Sequence, residues 1–217
     1  MLIKCYGAAP QGIDAVIVTI EVHAVPDFEF TLVGLPDNAV KESHERIVAA
    51  LTVNGYNKPR HTLTINMAPA DIRKEGSSYD LPIAIAILAA SEQMSSALLE
   101  HYVIMGELSL DGSLNPIKGV LPIAIRALQD GFRGLILPMS NAKEAAVVED
   151  LEVYGADNIM DVISFLNGSD SLCRVETPKY DSGYDDDYAL DFSDVRGQEN
   201  IKGALEVSAA GSHNVIL

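Results

Sequence analysis

The sequence predicts an α/β (α+β) protein. Runs rich in β-branched residues alternate with runs of helical spacing over residues 1–167, which is typical of a sheet covered by helices. One segment, residues 80–90, is apolar on nearly all sides and therefore predicts a helix at the centre of a domain. A chain of 217 residues with 48% hydrophobic residues can bury a substantial core.

The first third of the chain predicts three strands and one amphipathic helix. Residues 13–33 hold two runs rich in β-branched or aromatic residues, separated by Pro26 and Asp27. Asp37 is a suitable N-cap for a helix that ends near Gly55. The apolar face of this helix is predicted to contain Val40, His44, Ile47 and Leu51. Residues 62–67 alternate, with Leu63, Ile65 and Met67 on one side, and predict a half-buried strand.

The middle of the chain continues the alternation after the loop 68–79. The predicted elements are the central helix 80–90, a strand 102–110, a tight turn at Asp111-Gly112, a helix at about 120–130, a strand 135–137, a helix 141–149, a strand 151–154 and a helix 158–166. Asp80 and Pro82 are suited to the first turn of the central helix, and Asp157 is the predicted cap of the last helix.

A change of composition divides the chain. Gly, Ser, Pro and Asp dominate residues 168–190, which predicts an acidic linker between a domain at 1–167 and a second element at 191–217. In the second element, a helix is predicted from Gly197-Gln198 to a stop at Gly211, followed by a buried strand over 214–217. The sequence contains no G-x-x-x-x-G-K-[ST] phosphate-binding motif.

The charge balance argues against direct contact between these residues and a nucleic-acid backbone. The formal net charge is −16, whereas phosphate contacts need Lys and Arg. The acidic residues cluster in one segment: Glu176, Asp181, Asp185, Asp186, Asp187, Asp191 and Asp194. This cluster predicts a solvated, self-repelling linker; the alternative is a mimic of a nucleic-acid strand.

Several features favour a reduced cytoplasmic location. Cys5 and Cys173 are far apart and lack metal-ligand spacing. The N-terminus has no signal-peptide apolar region, and no apolar run approaches the roughly 18 residues that span a membrane. No metal site is predicted, because the five histidines also lack ligand spacing: His23, His44, His61, His101 and His213.

Four stretches carry a resemblance to a known family. They are GLPDNAVKESHERIVAAL (34–51), NMAPADIRKEGSSYDLPIAIAIL (66–88), GELSLDGSLNPIKGVLPIAI (106–125) and DFSDVRGQENIKGALEVSAAGSHNVIL (191–217). Together they resemble the magnesium-chelatase-like AAA+ ATPases of the ComM/YifB type. The resemblance implies an N-terminal domain of Lon-proteolytic type, related to the second domain of ribosomal protein S5, then the start of an AAA+ module cut before its P-loop.

The Lon-like pattern places Ser78 on the position of the Lon catalytic serine. Leu121 falls on the position of the Lon lysine, and leucine cannot accept a proton. Lys118 lies three positions earlier in the sequence. We therefore predict no catalytic residues here, with Ser77 and Ser78 satisfying the loop or capping the central helix. A degenerate or active serine peptidase is the alternative.

Two other segments have functional and structural interpretations. In the loop 69–76, Arg73 and Lys74 are predicted to form local ion pairs in solvent; contact with a neighbouring subunit or a phosphate is the alternative. Near the C-terminus, the resemblance implies that Val195, Gly197 and Gln198 flank the adenine base of a bound nucleotide. From the residues alone, this segment predicts only the start of a helix.

The resemblance also implies a function for a longer parent protein. That protein would bind ATP and Mg²⁺, assemble with itself into a hexameric ring and act on DNA as a helicase that promotes branch migration in recombination and natural transformation. The present residues would supply a non-catalytic assembly or substrate-engaging domain, without a cofactor of their own and without a membrane partner. A module that recruits a protein partner through residues 34–46 or 69–79 is a further alternative.

Overall fold

A mixed sheet organises the first of two compact units, Met1–Pro178 and Lys179–Leu217. The computed structural model describes residues 2–25, 30–57, 62–169, 171–176 and 191–215. The strands are β1 (Leu2–Gln11), β2 (Asp14–Val25), β3 (Phe30–Val33), β4 (Thr62–Ala68), β5 (Tyr102–Ile104), β6 (Glu107–Leu108), β7 (Leu114–Asn115), β8 (Gly134–Pro138) and β9 (Glu152–Ala156). The α-helices are α1 (Asn38–Val53), α2 (Asp80–Ala90), α3 (Val120–Gln129), α4 (Met139–Ala145), α5 (Ile159–Leu166) and α6 (Glu199–Ala210).

The large sheet has seven strands in the order β3-β4-β2-β1-β5-β8-β9. Strands β1 and β2 form a long antiparallel hairpin, and β2 also pairs antiparallel with β4. The pairs β3–β4, β1–β5, β5–β8 and β8–β9 are parallel. A separate short hairpin joins β6 to β7. The predicted mixed α/β architecture is therefore confirmed.

Helix α2 lies at the centre of the core, as its sequence predicts. All eleven of its residues are buried, and it packs against β1, β2 and α1. Burying each of its Leu and Ile side chains contributes about 1.5–3 kcal/mol. Just before the helix, the hydroxyl of the buried Tyr79 donates to the Ala8 carbonyl at 3.1 Å. This bond connects the start of α2 to β1.

Helix α1 begins at the predicted cap. The Asp37 side chain accepts a hydrogen bond from the Val40 N–H at 2.8 Å. Val40, Ile47 and Leu51 are buried as predicted, while His44 is half-buried beside the Phe30 ring. Strand β4 likewise buries its predicted face, which consists of Leu63, Ile65 and Met67.

Strand β1 was not predicted from the sequence, since no element was assigned before residue 13. Its Gly7, Ala8, Ala9 and Pro10 have little intrinsic preference for a strand. The strand forms because it pairs along its whole length with β2 and is covered by α2 and α3. Tertiary contacts therefore decide its structure.

The prediction of one continuous strand over residues 102–110 was wrong. The segment divides into β5 and β6 around Gly106. The Gly106 carbonyl accepts from the Leu81 N–H at 3.0 Å, and the Gly106 N–H donates to the Ser78 carbonyl at 2.9 Å. Because the start of α2 uses both backbone groups, residue 106 cannot continue a ladder with a neighbouring strand.

Two helix boundaries also differ from prediction. Asn158, and not Asp157, caps α5, because the Asn158 side chain accepts from the Met160 N–H at 2.9 Å. The Asp157 carbonyl instead accepts from the Leu114 N–H at 2.9 Å. The predicted helix 141–149 begins earlier and ends earlier, as α4 over Met139–Ala145.

Part of the segment predicted as a linker lies beside β9. The Val175 N–H donates to the Val153 carbonyl at 2.8 Å, and Leu172 is buried. Residue 170 and residues 177–190, with most of the acidic cluster, lie outside the described residues.

In the second unit, α6 ends at the predicted Gly211. Asn214 and Val215 are not in a strand, and residues 216–217 are outside the described part.

The two cysteines differ sharply in environment, and this predicts different reactivity. Cys5 is completely buried in β1, and burial raises the pKa of its thiol to about 12. Cys173 is exposed. Since the thiolate is the reactive form, we expect Ellman's reagent at pH 8 to titrate one thiol in the native chain and two after denaturation. Cys173→Ser should remove the native signal, and a rapidly reacting Cys5 in that variant would contradict the prediction.

Candidate functional site

The candidate site lies where the loop before α2 meets the hairpin β6–β7. The Ser77 hydroxyl donates a hydrogen bond to Glu107 Oε2. The other carboxylate oxygen, Oε1, accepts from Asn115 Nδ2 at 3.1 Å, and the same Nδ2 lies 3.1 Å from Ser109 Oγ. The hydroxyl, the carboxylate and the amide thus form a chain of hydrogen bonds, in which the amide orients the carboxylate. The three groups come from the loop before α2, from β6 and from β7.

The backbone around Ser77 is fixed on both sides. The Gly76 N–H donates to Asp37 Oδ2 at 3.0 Å, and the Ser77 carbonyl accepts from the Asp80 N–H at 3.0 Å. The Ser78 carbonyl accepts from Gly106, as described above. Because these bonds reach α1, α2 and the β5–β6 connection, they hold the two serines in a defined position.

A cavity of about 330 Å³ adjoins these groups. Its volume is within the range of small-molecule pockets. The cavity is lined by Pro10, Glu75, Gly76, Ser77, Ser78, Glu107, Pro116, Ile117 and Lys118. The cavity therefore combines an apolar wall with hydroxyl, carboxylate and ammonium groups.

Ser78 and Leu121, which fall on the Lon serine and lysine positions, and the nearby Lys118 have different surroundings. Ser78 lines the cavity and is half-buried. Lys118 also lines the cavity and is exposed. Leu121 lies in the first turn of α3, is exposed, and is not among the lining residues. Its backbone N–H donates to Glu144 Oε1 at 3.3 Å.

An ion pair between the buried Asp80 and the partly buried Arg46 supports the base of the site. Asp80 is completely buried and accepts from Arg46 Nε at 2.7 Å and Arg46 Nη2 at 2.9 Å. The Leu108 N–H also approaches the carboxylate at 3.3 Å. Burial raises the pKa of Asp80 while the Arg46 hydrogen bonds oppose that change, and the bonds to Asp80 raise the pKa of Arg46. Sequence reasoning missed this pair, because its members are 34 residues apart.

Lys74 has a different environment from the solvated one that the sequence predicts. Its side chain is completely buried, and Nζ donates to the carbonyls of Gly34, at 3.0 Å, and Pro69. Burial lowers the pKa of this ammonium group, and Asp71 opposes the change. Arg73, by contrast, forms an exposed ion pair with Glu75 at 3.2 Å. Lys74 thus connects two loops of this chain and is not available to a partner.

The residues implied to flank adenine lie in the second unit. Asp191 caps a single 3₁₀ turn over Phe192–Asp194 and accepts from the Ser193 N–H at 2.6 Å. Val195 is exposed. Gly197 and Gln198 both have positive φ, at 72° and 60°, immediately before α6. These residues form a tight entry to the helix, and their role toward a nucleotide stays a prediction.

The described part of the chain contains no group of three or more His, Cys, Asp or Glu side chains that could hold a metal ion. Likewise, none of the described helices is long and apolar enough to cross a membrane.

One known protein family matches more than half of the chain. The model of subunit ChlI of Mg-chelatase matches residues 20–141, which include α2 and, except for Pro10, the residues that line the cavity. This chain belongs to the ChlI family. A second model of that name, magnesium chelatase, subunit ChlI, matches residues 191–217.

Two curated bacterial proteins are similar to this chain over nearly its whole length. Competence protein ComM of Haemophilus influenzae is 42% identical over 97% of this chain. YifB of Escherichia coli is 41% identical over 96% of it. The chain spans about 42% and 41% of these two relatives, respectively. It therefore corresponds to less than half of their length.

A more distant similarity extends to proteases. Lon protease 1 of Thermus thermophilus is 28% identical over 164 residues, which cover 69% of this chain and 20% of the protease. The ChlI-family chain is thus distantly related to Lon proteases.

Proposed function

We propose that this chain is the N-terminal part of a longer, ring-forming AAA+ ATPase, in which residues 1–167 form an assembly or substrate-engaging domain. The parent would be an ATP-dependent DNA helicase that promotes branch migration in recombination and natural transformation. The observation that carries the proposal is 42% identity to a competence protein along 97% of the chain. The family match at 191–217 supports the start of an AAA+ module there.

The distant Lon similarity supports a Lon-proteolytic-like fold for the first domain, related to the second domain of ribosomal protein S5. It does not support a Lon-type Ser-Lys peptidase. Leu121 falls on the lysine position and carries no base. We therefore assign the first domain to assembly or substrate engagement in place of Lon-type proteolysis.

ATP and Mg²⁺ are assigned mainly to the rest of the parent. The 217 residues contain no P-loop motif, whose backbone N–H groups and lysine hold the phosphates. Val195, Gly197 and Gln198 would supply only the adenine side. DNA is likewise assigned to the ATPase ring, since the net charge of −16 opposes binding of phosphates to this part.

The test uses the full-length parent with and without residues 1–167. ATP hydrolysis would be measured with and without branched DNA, and the oligomeric state by light scattering. We expect the deletion to abolish ring formation or the stimulation by DNA. A truncated ATPase that still forms rings and responds fully to DNA would contradict the proposed role.

A further inference from the structure

We propose that Ser77 is a nucleophile for activated acyl groups, with Glu107 as its general base and Asn115 as the residue that positions the base. This goes beyond the proposed assembly role, and it differs from Lon chemistry in both the serine and the base. The substrate class is a carboxylic ester with an acyl group small enough for the adjoining cavity.

The hydrogen-bond order is that of an activated nucleophile. Ser77 Oγ donates to Glu107 Oε2, and Glu107 Oε1 accepts from Asn115 Nδ2 at 3.1 Å. A nucleophile within hydrogen-bond reach of a base, with the base oriented by a third group, is the structural signature of covalent catalysis. Ser78 has no such carboxylate among the described hydrogen bonds, so the geometry favours Ser77.

The surroundings suit this chemistry. Ser77 and Glu107 both line the cavity of about 330 Å³, so there is space beside Ser77 that an acyl group can occupy. Lys118 lines the same cavity and forms no ion pair with any described residue. Its ammonium group is available to stabilise the negative oxygen that develops on an attacked carbonyl.

The reaction balances without any further reactant except water. Ser77 Oγ attacks the carbonyl carbon, its proton passes to Glu107, and the C–O bond to the leaving alcohol breaks as that alcohol takes the proton. Water, deprotonated by Glu107, then attacks the carbonyl carbon of the acyl-serine ester. The C–O bond to Ser77 breaks, Ser77 Oγ takes the proton back from Glu107, and the carboxylic acid is released. A carboxylate is a weak base toward an alcohol, so we expect activated esters to react and peptide bonds not to react.

A fluorophosphonate probe tests the proposal on the 217-residue chain. Ser77 Oγ forms the bond to phosphorus, the P–F bond breaks, fluoride leaves, and the proton passes through Glu107 to solvent. We expect mass spectrometry of digests to locate the adduct on Ser77 in the wild type and in Ser78→Ala. Ser77→Ala should give no adduct, and Glu107→Gln should label about 100-fold more slowly.

Several results would overturn this inference. They are an adduct on Ser78, no adduct while a known serine hydrolase labels in the same mixture, or an unchanged rate in Glu107→Gln. Circular dichroism and thermal melting establish that each variant is folded. If Glu107→Gln does not fold, Asn115→Ala is used in its place. Loss of the amide that positions Glu107 should slow labelling of Ser77 about tenfold. An unchanged labelling rate in Asn115→Ala would reject the arrangement.

Discussion

Replacing Asp80 with alanine is expected to lower the free energy of unfolding by about 3–5 kcal/mol. The carboxylate is completely buried and accepts two hydrogen bonds from Arg46, at 2.7 and 2.9 Å. Its removal leaves the Leu108 N–H without this acceptor, and the partly buried guanidinium group of Arg46 keeps its bond to the Ala39 carbonyl, at 3.0 Å, but has no carboxylate beside it to balance its charge. Chemical denaturation followed by far-UV circular dichroism would measure the change.

A double-mutant cycle separates the pair from its surroundings. Asp80→Ala, Arg46→Ala and the double variant give the coupling energy between the two side chains. Arg126→Ala is the matched control, since the Arg126–Asp130 pair has a similar 2.9 Å distance but is substantially exposed, and it should cost less than about 1 kcal/mol. An Asp80→Ala variant as stable as this control would show that the buried pair contributes little.

Local sequence patterns were sufficient for the elements that depend on local properties. The continuous apolar run 80–90 specifies a helix buried on all sides, and α2 is one. Alternation over residues 62–67 specifies a strand with one buried face, and β4 has that face. In both cases the order of apolar and polar residues within the segment is sufficient to predict which side chains are buried.

Elements that depend on distant partners could not be predicted in this way. Strand β1 contains residues with weak strand preference and exists because β2 pairs with it. The break at Gly106 depends on hydrogen bonds to Ser78 and Leu81, which lie more than 20 residues away. A single sequence does not specify which distant backbone groups meet.

The candidate site shows the same limit. The Lon-like pattern drew attention to Ser78, because that residue falls on the catalytic position. In the structure, the neighbouring Ser77 donates to the carboxylate of Glu107, 30 residues later. The pattern drew attention to the loop that forms this contact, whereas which of the adjacent serines reaches Glu107 depends on side-chain directions that only the folded hairpin β6–β7 establishes.

Replacing Gly34 with alanine is expected to lower the free energy of unfolding by about 2–5 kcal/mol, through backbone strain and a steric clash. The φ angle of Gly34 is +101°, which L side chains rarely adopt. An added Cβ would lie only 2.2 Å from the Met67 carbonyl oxygen in β4, so the backbone itself would have to move. Thermal and denaturant unfolding would measure the loss.

Gly131 provides the control for strain without a clash. Its φ angle is +79°, but an added Cβ would meet nothing within 4 Å. Gly131→Ala should therefore cost only the strain of a left-handed conformation, about 1–2 kcal/mol. Equal losses in the two variants would show that the approach to Met67 is unimportant.

The Gly34 variant also tests how the candidate site is positioned. The Gly34 carbonyl accepts from Lys74 Nζ at 3.0 Å, and Asp37, three residues later, accepts from the Gly76 N–H beside Ser77. If the turn at residue 34 moves, we therefore expect Lys74 and Asp37 to move with it and to displace the loop that carries Ser77. At a temperature where the variant is still folded, we expect slower labelling of Ser77 in Gly34→Ala and an unchanged rate in Gly131→Ala. Equal labelling rates would mean that Ser77 is held by α2 and the β6–β7 hairpin alone.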